Sequence, residues 1–338
     1  MSDLIREPAH RLLLSNNRDP ITHLTLSPDE QTLACMGKQE HDFTAIHFFN
    51  PQTEKELCKP YIQSFSFKTL QWSKNGERLY ATTPLGKIFF LEWQENKFKQ
   101  MKLLYEHARG TNPIHINGPT YLTILVDDLI AFITQSGLIC VMTWDGQKHV
   151  VVHQEQQHCS FSGIIPSTNP SMFLSTCGAY IQLFGDTGNN WICMRQDPPL
   201  ENGIQKGAWT QDRTWIFLLP DRIVLDRRDE KRIVINHGIE LEDLLVVNNE
   251  TILVSTKNPN YILAVQIPDG KILFDMGGFV KPVTSMCLFD LGRYLMTNTA
   301  NHIPFCSRSA GDHSAQIFDF GSANLGRNNT PFITDLPV

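Results

Sequence analysis

Six histidines lie in polar, turn-rich stretches of the sequence, where imidazole groups could bind a metal ion or a phosphate. They are His41, His107, His158, His237, His302 and His313. They belong to different stretches of the chain, and exposed loops commonly contain histidine without binding anything. We therefore predict neither a metal site nor a cofactor.

One segment, HQEQQH at residues 153–158, superficially resembles the motif of zinc hydrolases. That motif is HExxH, in which two histidines four residues apart face the same side of a helix. Here the histidines are five residues apart at the end of a predicted strand, so their side chains do not share a face. The segment therefore predicts no zinc chemistry.

The cysteines also lack the spacing of a metal site or of a disulfide framework. They are Cys35, Cys58, Cys140, Cys159, Cys177, Cys193, Cys287 and Cys306. None of them forms a CxxC pair, and most lie inside apolar runs such as LICVM and WICM. These features predict reduced, buried thiols of a cytosolic protein.

The charge distribution argues against a nucleic-acid partner. The 338 residues carry a net charge of −6 with both signs mixed, whereas general nucleic-acid binders present a basic field. The densest charged run, DRRDEKR at residues 226–232, alternates in sign, as is typical of a solvated hairpin tip. The tryptophans mostly fall within strand patterns, which favours packing in a core over base stacking.

The sequence predicts no targeting or membrane-spanning segment. The N-terminal residues MSDLIREPAHR lack the cationic and apolar regions of a signal peptide. The most apolar segment, LTILVDDLIAFI, is interrupted by Asp127 and Asp128, so we expect no membrane insertion. We expect a cytoplasmic protein, and delivery into another cell stays open.

The elements that hold these residues follow a repeat of two short strands joined by a polar turn. Its copies are TLSPDEQTLACM, LQWSKNGERLYATT, ILVDDLIAFIT, IIPSTNPSMFLST, AWTQDRTWIFLL, LVVNNETILVST and CLFDLGRYLMTN. The turns fall at Ser27, Ser73, Val126, Ser167, Thr210, Asn248 and Asp290, in steps of 46, 53, 41, 43, 38 and 42 residues. Each turn contains Gly, Asn, Asp or Pro, as hairpins require.

A second series lies between these copies and consists of a strand that ends in a bulky residue, a polar turn and another strand. The bulky residues are Phe49, Trp93, Trp144, Phe184, Leu225, Val265 and Phe318. The copy GLICVMTWDGQKHVVV contains the single Trp-Asp pair of the sequence, Trp144–Asp145. We expect Trp144 to be buried between neighbouring sheets and Asp145 to begin a turn.

Together the two series predict seven units of four short strands each. No window shows a convincing helical stripe, and the connections leave no room for the crossover helices of a parallel α/β fold. Radial repetition of four-stranded sheets removes long open edges from an all-β chain. We therefore predict an all-β protein, a seven-bladed β-propeller of four-stranded antiparallel blades whose ring is closed by the N-terminal strand.

The repeat resembles that of the WD40-type β-propellers. In that family the third strand of a blade typically ends in Trp-Asp and leads into a turn that ends in Gly-Lys. Trp144-Asp145 to Lys148 and Leu225-Asp226 to Lys231 are similar to this pattern. The segments SPDE and SKNG resemble the Ser-Pro-Asp-Gly turn between the first two strands of the family. The resemblance covers roughly residues 11 to 320.

The repeat predicts one domain over residues 1–320 and a C-terminal tail over residues 321–338. The blades are expected at residues 19–59, 60–106, 114–154, 158–197, 202–237, 239–276 and 281–320. The last blade offers strands at Val283–Phe289, Arg293–Thr299 and Ser314–Phe320. Its outer strand is expected from residues 11–15, although Phe332–Thr334 offers an alternative.

The resemblance implies that the loops between second and third strands, with the connections between blades, surround the mouth of a central channel. Loops carry binding residues more often than strands do. The partner-binding residues that we predict on this face are Lys38, Glu40, His41, Asp42, Arg109, Tyr261, His302, Arg308 and His313. The longest irregular stretch on this face runs from residue 300 to residue 313.

These expectations favour a non-catalytic scaffold or adaptor that binds another protein or a peptide through the loop face. The sequence contains no GxSxG elbow, no P-loop and no dinucleotide fingerprint, so we predict no catalytic residue. The alternative is an enzyme similar to the propeller lactonases of the 6-phosphogluconolactonase type, for which Glu106, His107 and Arg109 are candidates by position. A complex subunit and a secreted effector both stay open, as does the oligomeric state.

Overall fold

A computed structural model describes most of the chain, and its regular structure is β-strand. The described residues are 9–12, 21–38, 44–53, 55–99, 101–106, 120–126, 129–134, 136–145, 148–156, 161–167, 169, 171–177, 180–188, 190–197, 204–210, 212, 214–227, 233–236, 238–277, 279, 282–289, 294–299 and 316–319. Among these residues no helix is long and apolar enough to cross a membrane.

The described residues form 29 strands. Before residue 66 these are β1 (Ala9–Leu12), β2 (Ile21–Leu26), β3 (Leu33–Lys38), β4 (Thr44–Phe49) and β5 (Tyr61–Gln63). Between residues 66 and 209 they are β6 (Thr69–Trp72), β7 (Arg78–Thr82), β8 (Ile88–Gln94), β9 (Lys97–Phe98), β10 (Lys102–Tyr105), β11 (Thr120–Val126), β12 (Leu129–Thr134), β13 (Leu138–Trp144), β14 (His149–Gln156), β15 (Phe161–Pro166), β16 (Met172–Cys177), β17 (Tyr180–Asp186), β18 (Trp191–Asp197) and β19 (Lys206–Trp209). After residue 209 they are β20 (Thr214–Leu218), β21 (Arg222–Arg227), β22 (Ile233–Asn236), β23 (Leu241–Val246), β24 (Thr251–Thr256), β25 (Ile262–Gln266), β26 (Ile272–Met276), β27 (Val283–Phe289), β28 (Tyr294–Thr299) and β29 (Gln316–Asp319).

Antiparallel pairing joins strands that follow one another in the sequence. The four-stranded sheets in the described part of the chain are β2–β5, β11–β14, β15–β18, β19–β22, β23–β26 and β27–β29 with β1. The remaining sheet, β6–β10, has five strands. The prediction of seven four-stranded blades is therefore wrong in its number, because six sheets have that form.

The fifth strand arises because β8 is long enough to pair with two short strands. The chain reverses directly after Gln94 through Glu95 and Asn96, which have φ angles of 52° and 59°. The resulting strand β9 pairs with the end of β8, where Trp93 lies opposite Phe98. The later strand β10 then pairs with the beginning of β8. The extra strand is thus the product of one tight turn.

The N-terminal strand completes the last sheet, as the sequence predicts. Ala9 lies opposite Asp319 and Leu12 opposite Gln316 in an antiparallel register. The strand lies at Ala9–Leu12 rather than at residues 11–15. The alternative outer strand, Phe332–Thr334, lies outside the described residues.

The chain divides into two compact units, residues 66–209 and the segments 1–65 and 210–338 together. Inside each unit, first strands of different sheets lie against one another. In residues 66–209, β11 contacts β6 and β15. In the other unit, β27 contacts β23 and β2, and β23 also contacts β20, the second strand of its sheet. The domain bounds set out above stay a prediction.

Central strands are buried on both of their faces, whereas fourth strands are not. Every side chain of β4, β7, β20 and β24 is buried. The fourth strands β5, β10 and β22 carry exposed side chains along their length. Because successive side chains of a strand point to opposite faces, a fully buried strand must be covered by other elements on both sides. The repeat therefore requires each sheet to pack against neighbours.

Aromatic rings fill the contact between the sheets β6–β10 and β11–β14. Phe90 and Trp144 meet edge to face with their centroids 5.7 Å apart. The guanidinium of Arg78 lies 4.3 Å from the centroid of the Trp144 ring, a cation–π contact of about 0.5–2 kcal/mol. Trp144 thus packs between sheets as predicted, but it is partly rather than fully buried, because it lies at the end of its strand.

Asp145 begins a turn, as the sequence predicts. Its N–H donates to the carbonyl of Lys148 at 3.0 Å, and its Oδ1 accepts the N–H of Lys148 at 2.8 Å. Among the other bulky residues of the second series, those that are buried are Phe49, Phe184, Leu225 and Val265. The second series therefore marks the same structural position in several sheets.

The described cysteines carry thiols, but not all of these are buried as predicted. Cys35 and Cys140 are buried, and burial raises the pKa of Cys140 to about 12 and that of Cys35 well above its ordinary value. Cys193 is exposed, which contradicts the prediction. The apolar run WICM around it forms part of β18, a fourth strand, and the register of β18 shifts there, so that the apolar residues beside it also face solvent.

The polar turns between first and second strands share one hydrogen-bonding pattern. The Oγ of Ser27 accepts the N–H of Thr32 at 2.9 Å, and the Oγ of Ser73 accepts that of Arg78 at 2.9 Å. Thr210 Oγ1 accepts the N–H of Thr214 at 3.0 Å. In each case the hydroxyl also donates to an Asp or Asn side chain two residues later. At these three positions, the residue that marks the repeat in the sequence closes the turn through its hydroxyl.

Replacing Ser73 by alanine tests this turn. Ser73 is fully buried, so the variant leaves the Arg78 N–H without its acceptor, and we expect a loss of about 1–3 kcal/mol in the free energy of unfolding. The loss is measured as a lower urea midpoint at constant slope. Ser171→Ala is the control, since Ser171 lies in the corresponding turn of the sheet β15–β18 with an exposed side chain. Equal midpoints for the two variants would contradict the role of the hydroxyl.

Candidate partner-binding loops

Of the nine predicted partner-binding residues, the structure describes Tyr261 and the backbone of Lys38. Lys38 is the last residue of β3, where it pairs with Thr44. The remaining predicted residues are Glu40, His41, Asp42, Arg109, His302, Arg308 and His313, which lie outside the described residues. The candidate site is therefore built outward from Tyr261.

Tyr261 closes the loop between β24 and β25. Its N–H donates to Oγ1 of Thr256 at 3.0 Å, and its carbonyl accepts the N–H of Thr256 at 2.9 Å. The ring lies against the backbone of Gly277, where an added Cβ would come within 2.5 Å of the ring. Tyr261 nevertheless keeps 36% of its surface exposed. The ring is thus held in one place while part of it faces solvent.

Lys257, in the same loop, bonds two carboxylates. Its Nζ is 2.8 Å from Oε1 of Glu240 and 3.0 Å from Oε2 of Glu242. The hydrogen bond to Glu240, followed by that to Glu242, raises the pKa of Lys257. One ammonium and two carboxylates leave a net negative charge beside the loop. We name Glu240, Glu242, Lys257 and Tyr261 the Tyr261 cluster.

The Tyr261 cluster joins two segments that the sequence predicts for the partner-binding face. HGIELE, residues 237–242, leads into the first strand of this sheet, and KNPNY, residues 257–261, connects its second and third strands. The side-chain ion pairs bring them together, and the Lys257 N–H also donates to the carbonyl of Glu240 at 2.9 Å. For this sheet, the two kinds of loop do lie side by side.

The unit of residues 66–209 contains a related ion pair. Lys87, in the loop before β8, lies 2.7 Å from Oε1 of Glu106, which directly follows β10. Glu106 is the first of the three residues predicted for a lactonase, and its carboxylate is engaged by an ammonium. His107 and Arg109 lie outside the described residues. The contact is the same combination of loop lysine and connection glutamate as in the Tyr261 cluster.

The described part of the chain contains no residues that support a metal site at the histidines. All six loop histidines considered for a metal site lie outside it. Within it, no three or more His, Cys, Asp and Glu side chains are placed to hold a metal ion. In HQEQQH, Nδ1 of His153 lies 2.6 Å from Oδ1 of Asn190, a contact between two neighbouring sheets. His158 is not among the described residues.

Sequence reasoning missed the charged members of the Tyr261 cluster. Glu240 and Glu242 are two residues apart where β23 begins, and side chains at that spacing share one face of an extended chain. Lys257 directly follows β24, at the other end of the hairpin that these glutamates begin, and it was the matching signal. The pairing itself depends on the tertiary approach of the two segments.

Comparisons with known proteins identify the fold. A solved structure described as that of U3-55K has a TM-score of 0.71, with 12% sequence identity over 93% of this chain and 99% of that chain. A crystal structure of the RRP9 WD40 repeats has a TM-score of 0.70, with 12% identity and the same coverage of each chain. The fold is a β-propeller. It contains antiparallel blades of four strands.

The same comparisons made by sequence give no further identification. No model of a protein family matches the chain. No curated protein matches it either. At 12% identity, the structural likeness establishes the fold, and function must be argued from the site.

The titration of Lys257 tests the geometry of the Tyr261 cluster. Because its pKa is raised, the ion pairs stabilise the folded protein fully below the pKa of an unfolded lysine, about 10.4, and that stabilisation is lost as pH rises through the raised value. We expect the midpoint of Lys257, followed by lysine NMR, to fall when Glu240 and Glu242 are replaced by glutamine. The exposed Lys271 serves as the internal control. An unchanged Lys257 midpoint would show that the carboxylates do not bond it.

Proposed function

We propose that this protein is a non-catalytic interaction scaffold that binds another protein or a peptide through its loop face. The observation that carries the proposal is the Tyr261 cluster, in which one loop carries a partly exposed aromatic ring and a lysine paired with exposed carboxylates. A propeller presents many loops from one rigid framework, which suits the binding of a partner. The WD40-like fold supports this role by analogy.

The Tyr261 ring supplies the apolar contact of the proposed site. Tyrosine is enriched among the residues that dominate protein interfaces, because it buries a large area at low cost in side-chain entropy. Its hydrogen bonds to Thr256 fix the backbone at Tyr261, and Gly277 supports one side of the ring before a partner arrives. Such preorganisation strengthens binding because little freedom remains to be lost.

The carboxylates of the cluster indicate that the partner carries a cationic side chain next to its apolar contact with Tyr261. Glu240 is 54% exposed at its side chain and Glu242 is 26% exposed, so Glu240 is the more accessible acceptor. Lys257 neutralises one of the two negative charges. A partner segment with an apolar side chain for Tyr261 and an Arg or Lys for Glu240 would complement the cluster.

We also propose that the five-stranded sheet β6–β10 serves as one further blade beside the six four-stranded ones. This assignment gives the seven units that the repeat in the sequence predicts. A cytoplasmic location stays part of the same proposal. Hydrolysis of a sugar lactone stays an alternative, and a panel of lactones tested with the purified protein decides it.

Tyr261→Ala tests the scaffold proposal. A photo-crosslinking amino acid at position 261 first identifies the partner by mass spectrometry, and the affinity of that partner is then measured. We expect Tyr261→Ala to weaken binding by about tenfold or more, because the apolar contact is lost, and Tyr261→Phe to retain most of it.

Ile272→Ala is the matched control for this experiment. Ile272 belongs to β26, the fourth strand of the same sheet, and is exposed to a comparable degree at 44%. It should leave binding unchanged, and all variants should retain the thermal stability of the parent protein. Equal loss of binding in Tyr261→Ala and Ile272→Ala, or no loss in either, would refute the assignment of the loop face.

A further inference from the structure

The five-stranded sheet differs from the others in charge as well as in strand number. Residues 66–106 contain seven Lys and Arg side chains and four Glu side chains, a net charge of +3 in a chain whose total is −6. Three of the lysines lie on or beside β9 and β10, namely Lys97, Lys99 and Lys102. The extra strand therefore coincides with a local surplus of positive charge.

Two of these lysines contact the same carboxylate, that of Glu92. Nζ of Lys102 lies 2.7 Å from Oε1 of Glu92, and Nζ of Lys99 lies 3.5 Å from its Oε2. The hydrogen bond from Lys102 is the largest cause of the lowered pKa of Glu92, and the charge of Lys99 adds to it. Two ammonium groups share one carboxylate, and their side chains remain 51% and 63% exposed.

Lys97 adds a third exposed ammonium at the start of β9. It pairs through its backbone with Gln94, and the described residues provide no ion pair for its side chain. The acidic residue nearest in sequence, Glu95, lies in the tight turn that precedes it. The edge formed by residues 97–99 and 101–105 therefore carries more positive charge than nearby carboxylates neutralise.

The same region also has an exposed apolar side chain and an edge strand of the sheet. Leu103, next to Lys102, is 49% exposed. Within the described part of the chain, β8 is the strand that β10 pairs with, so the other side of β10 is the edge of its sheet. An edge strand presents backbone N–H and C=O groups that an extended chain can bond. Charge, apolar contact and backbone bonding thus occur together.

We propose that the edge formed by β9 and β10 binds an extended acidic segment of a partner protein, in which carboxylates alternate with apolar residues. The carboxylates pair with Lys97, Lys99 and Lys102, an apolar residue covers Leu103, and the backbone continues the sheet beside β10. This surface lies in the unit of residues 66–209, whereas the Tyr261 cluster belongs to the other unit. It is therefore a second docking surface, independent of the function proposed above.

The features of this edge favour an acidic peptide over a nucleic acid. Glu92 and Glu95 lie among the lysines, and fixed carboxylates repel a continuous row of phosphates. The exposed side chain of Leu103 would gain no apolar contact from a phosphate backbone. A charge of −6 over the whole chain opposes the approach of any polyanion that cannot bind locally. A short acidic segment needs only the local surplus.

Fluorescence anisotropy of the full-length protein tests the proposal. The probe is a short fluorescein-labelled peptide that alternates glutamate with leucine, and its comparison probe carries glutamine in place of glutamate. We expect the acidic probe to bind at least about fivefold more tightly at low salt, with an affinity that falls as salt is added. Equal affinity for the two probes, or no binding of either, would overturn the proposal.

Variants locate the binding on the surface. Lys97→Gln with Lys99→Gln should reduce the affinity for the acidic probe several-fold and flatten its salt dependence, and Leu103→Gln should reduce it at all salt concentrations. The matched control is Lys148→Gln with Lys271→Gln, which removes the same charge from exposed lysines of other sheets. An equal loss of affinity in both double variants would mean that the probe responds only to net charge, and it would contradict binding at this edge.

Two further arms separate this proposal from its alternatives. Tyr261→Ala should bind the acidic probe as the parent protein does, because Tyr261 is not a residue of β9 or β10. A single-stranded oligonucleotide of equal charge should bind more weakly than the acidic peptide. Tighter binding of the oligonucleotide would assign the edge to nucleic acid and refute the proposal.

Discussion

Burial of the central strands on both of their faces is the constraint on which the rest of this structure depends. Every side chain of strands such as β7, β20 and β24 is buried. A sheet that contained such a strand and stood alone would expose these side chains to water. Each sheet must therefore pack against another, and first strands meet first strands along each unit. Burying each large apolar side chain contributes about 1.5–3 kcal/mol, which makes this packing the main stabilising term.

This constraint also decides where partners can bind. Central strands such as β4, β7, β20 and β24 have every side chain buried, whereas loops and fourth strands carry exposed side chains. The Tyr261 cluster uses the loops, where an ion pair joins two segments and hydrogen bonds to Thr256 hold the backbone of Tyr261. The edge of β9 and β10 uses the outer strands, where lysines outnumber carboxylates. Both surfaces thus lie where the packing leaves the chain free.

Local chemistry explains which parts of the fold could be predicted from sequence. Ser27, Ser73 and Thr210 lie in turns that were predicted from their Gly, Asn, Asp or Pro residues, and in the structure the hydroxyl of each closes its turn. Trp144-Asp145 similarly marked the end of a strand and the start of a turn. The N-terminal strand was found because the last unit had three strands and an unpaired apolar segment preceded the first.

Features that depend on pairing between distant segments escaped the same reasoning. The sheet β6–β10 has a fifth strand because two short segments, β9 and β10, pair with different parts of β8. The alternation of apolar and polar residues does not specify this division. The exposure of Cys193 follows from its place on a fourth strand, although its neighbours in sequence are apolar. The ion pairs of Lys257 join segments from either side of a hairpin, and Tyr261 alone of that cluster was predicted. Sequence patterns identify strands and turns, whereas side-chain contacts between loops require the fold.

Hydrogen–deuterium exchange of the native protein tests the central claim most directly, because it measures the protection of individual strands. The account predicts that amides of β4, β7, β20 and β24 exchange slowest, near the rate set by global unfolding. Amides of the fourth strands β5, β10 and β22 should exchange markedly faster. Protection that is uniform across all strands, or greatest in the fourth strands, would contradict the claim that two-sided burial of the central strands holds this fold together.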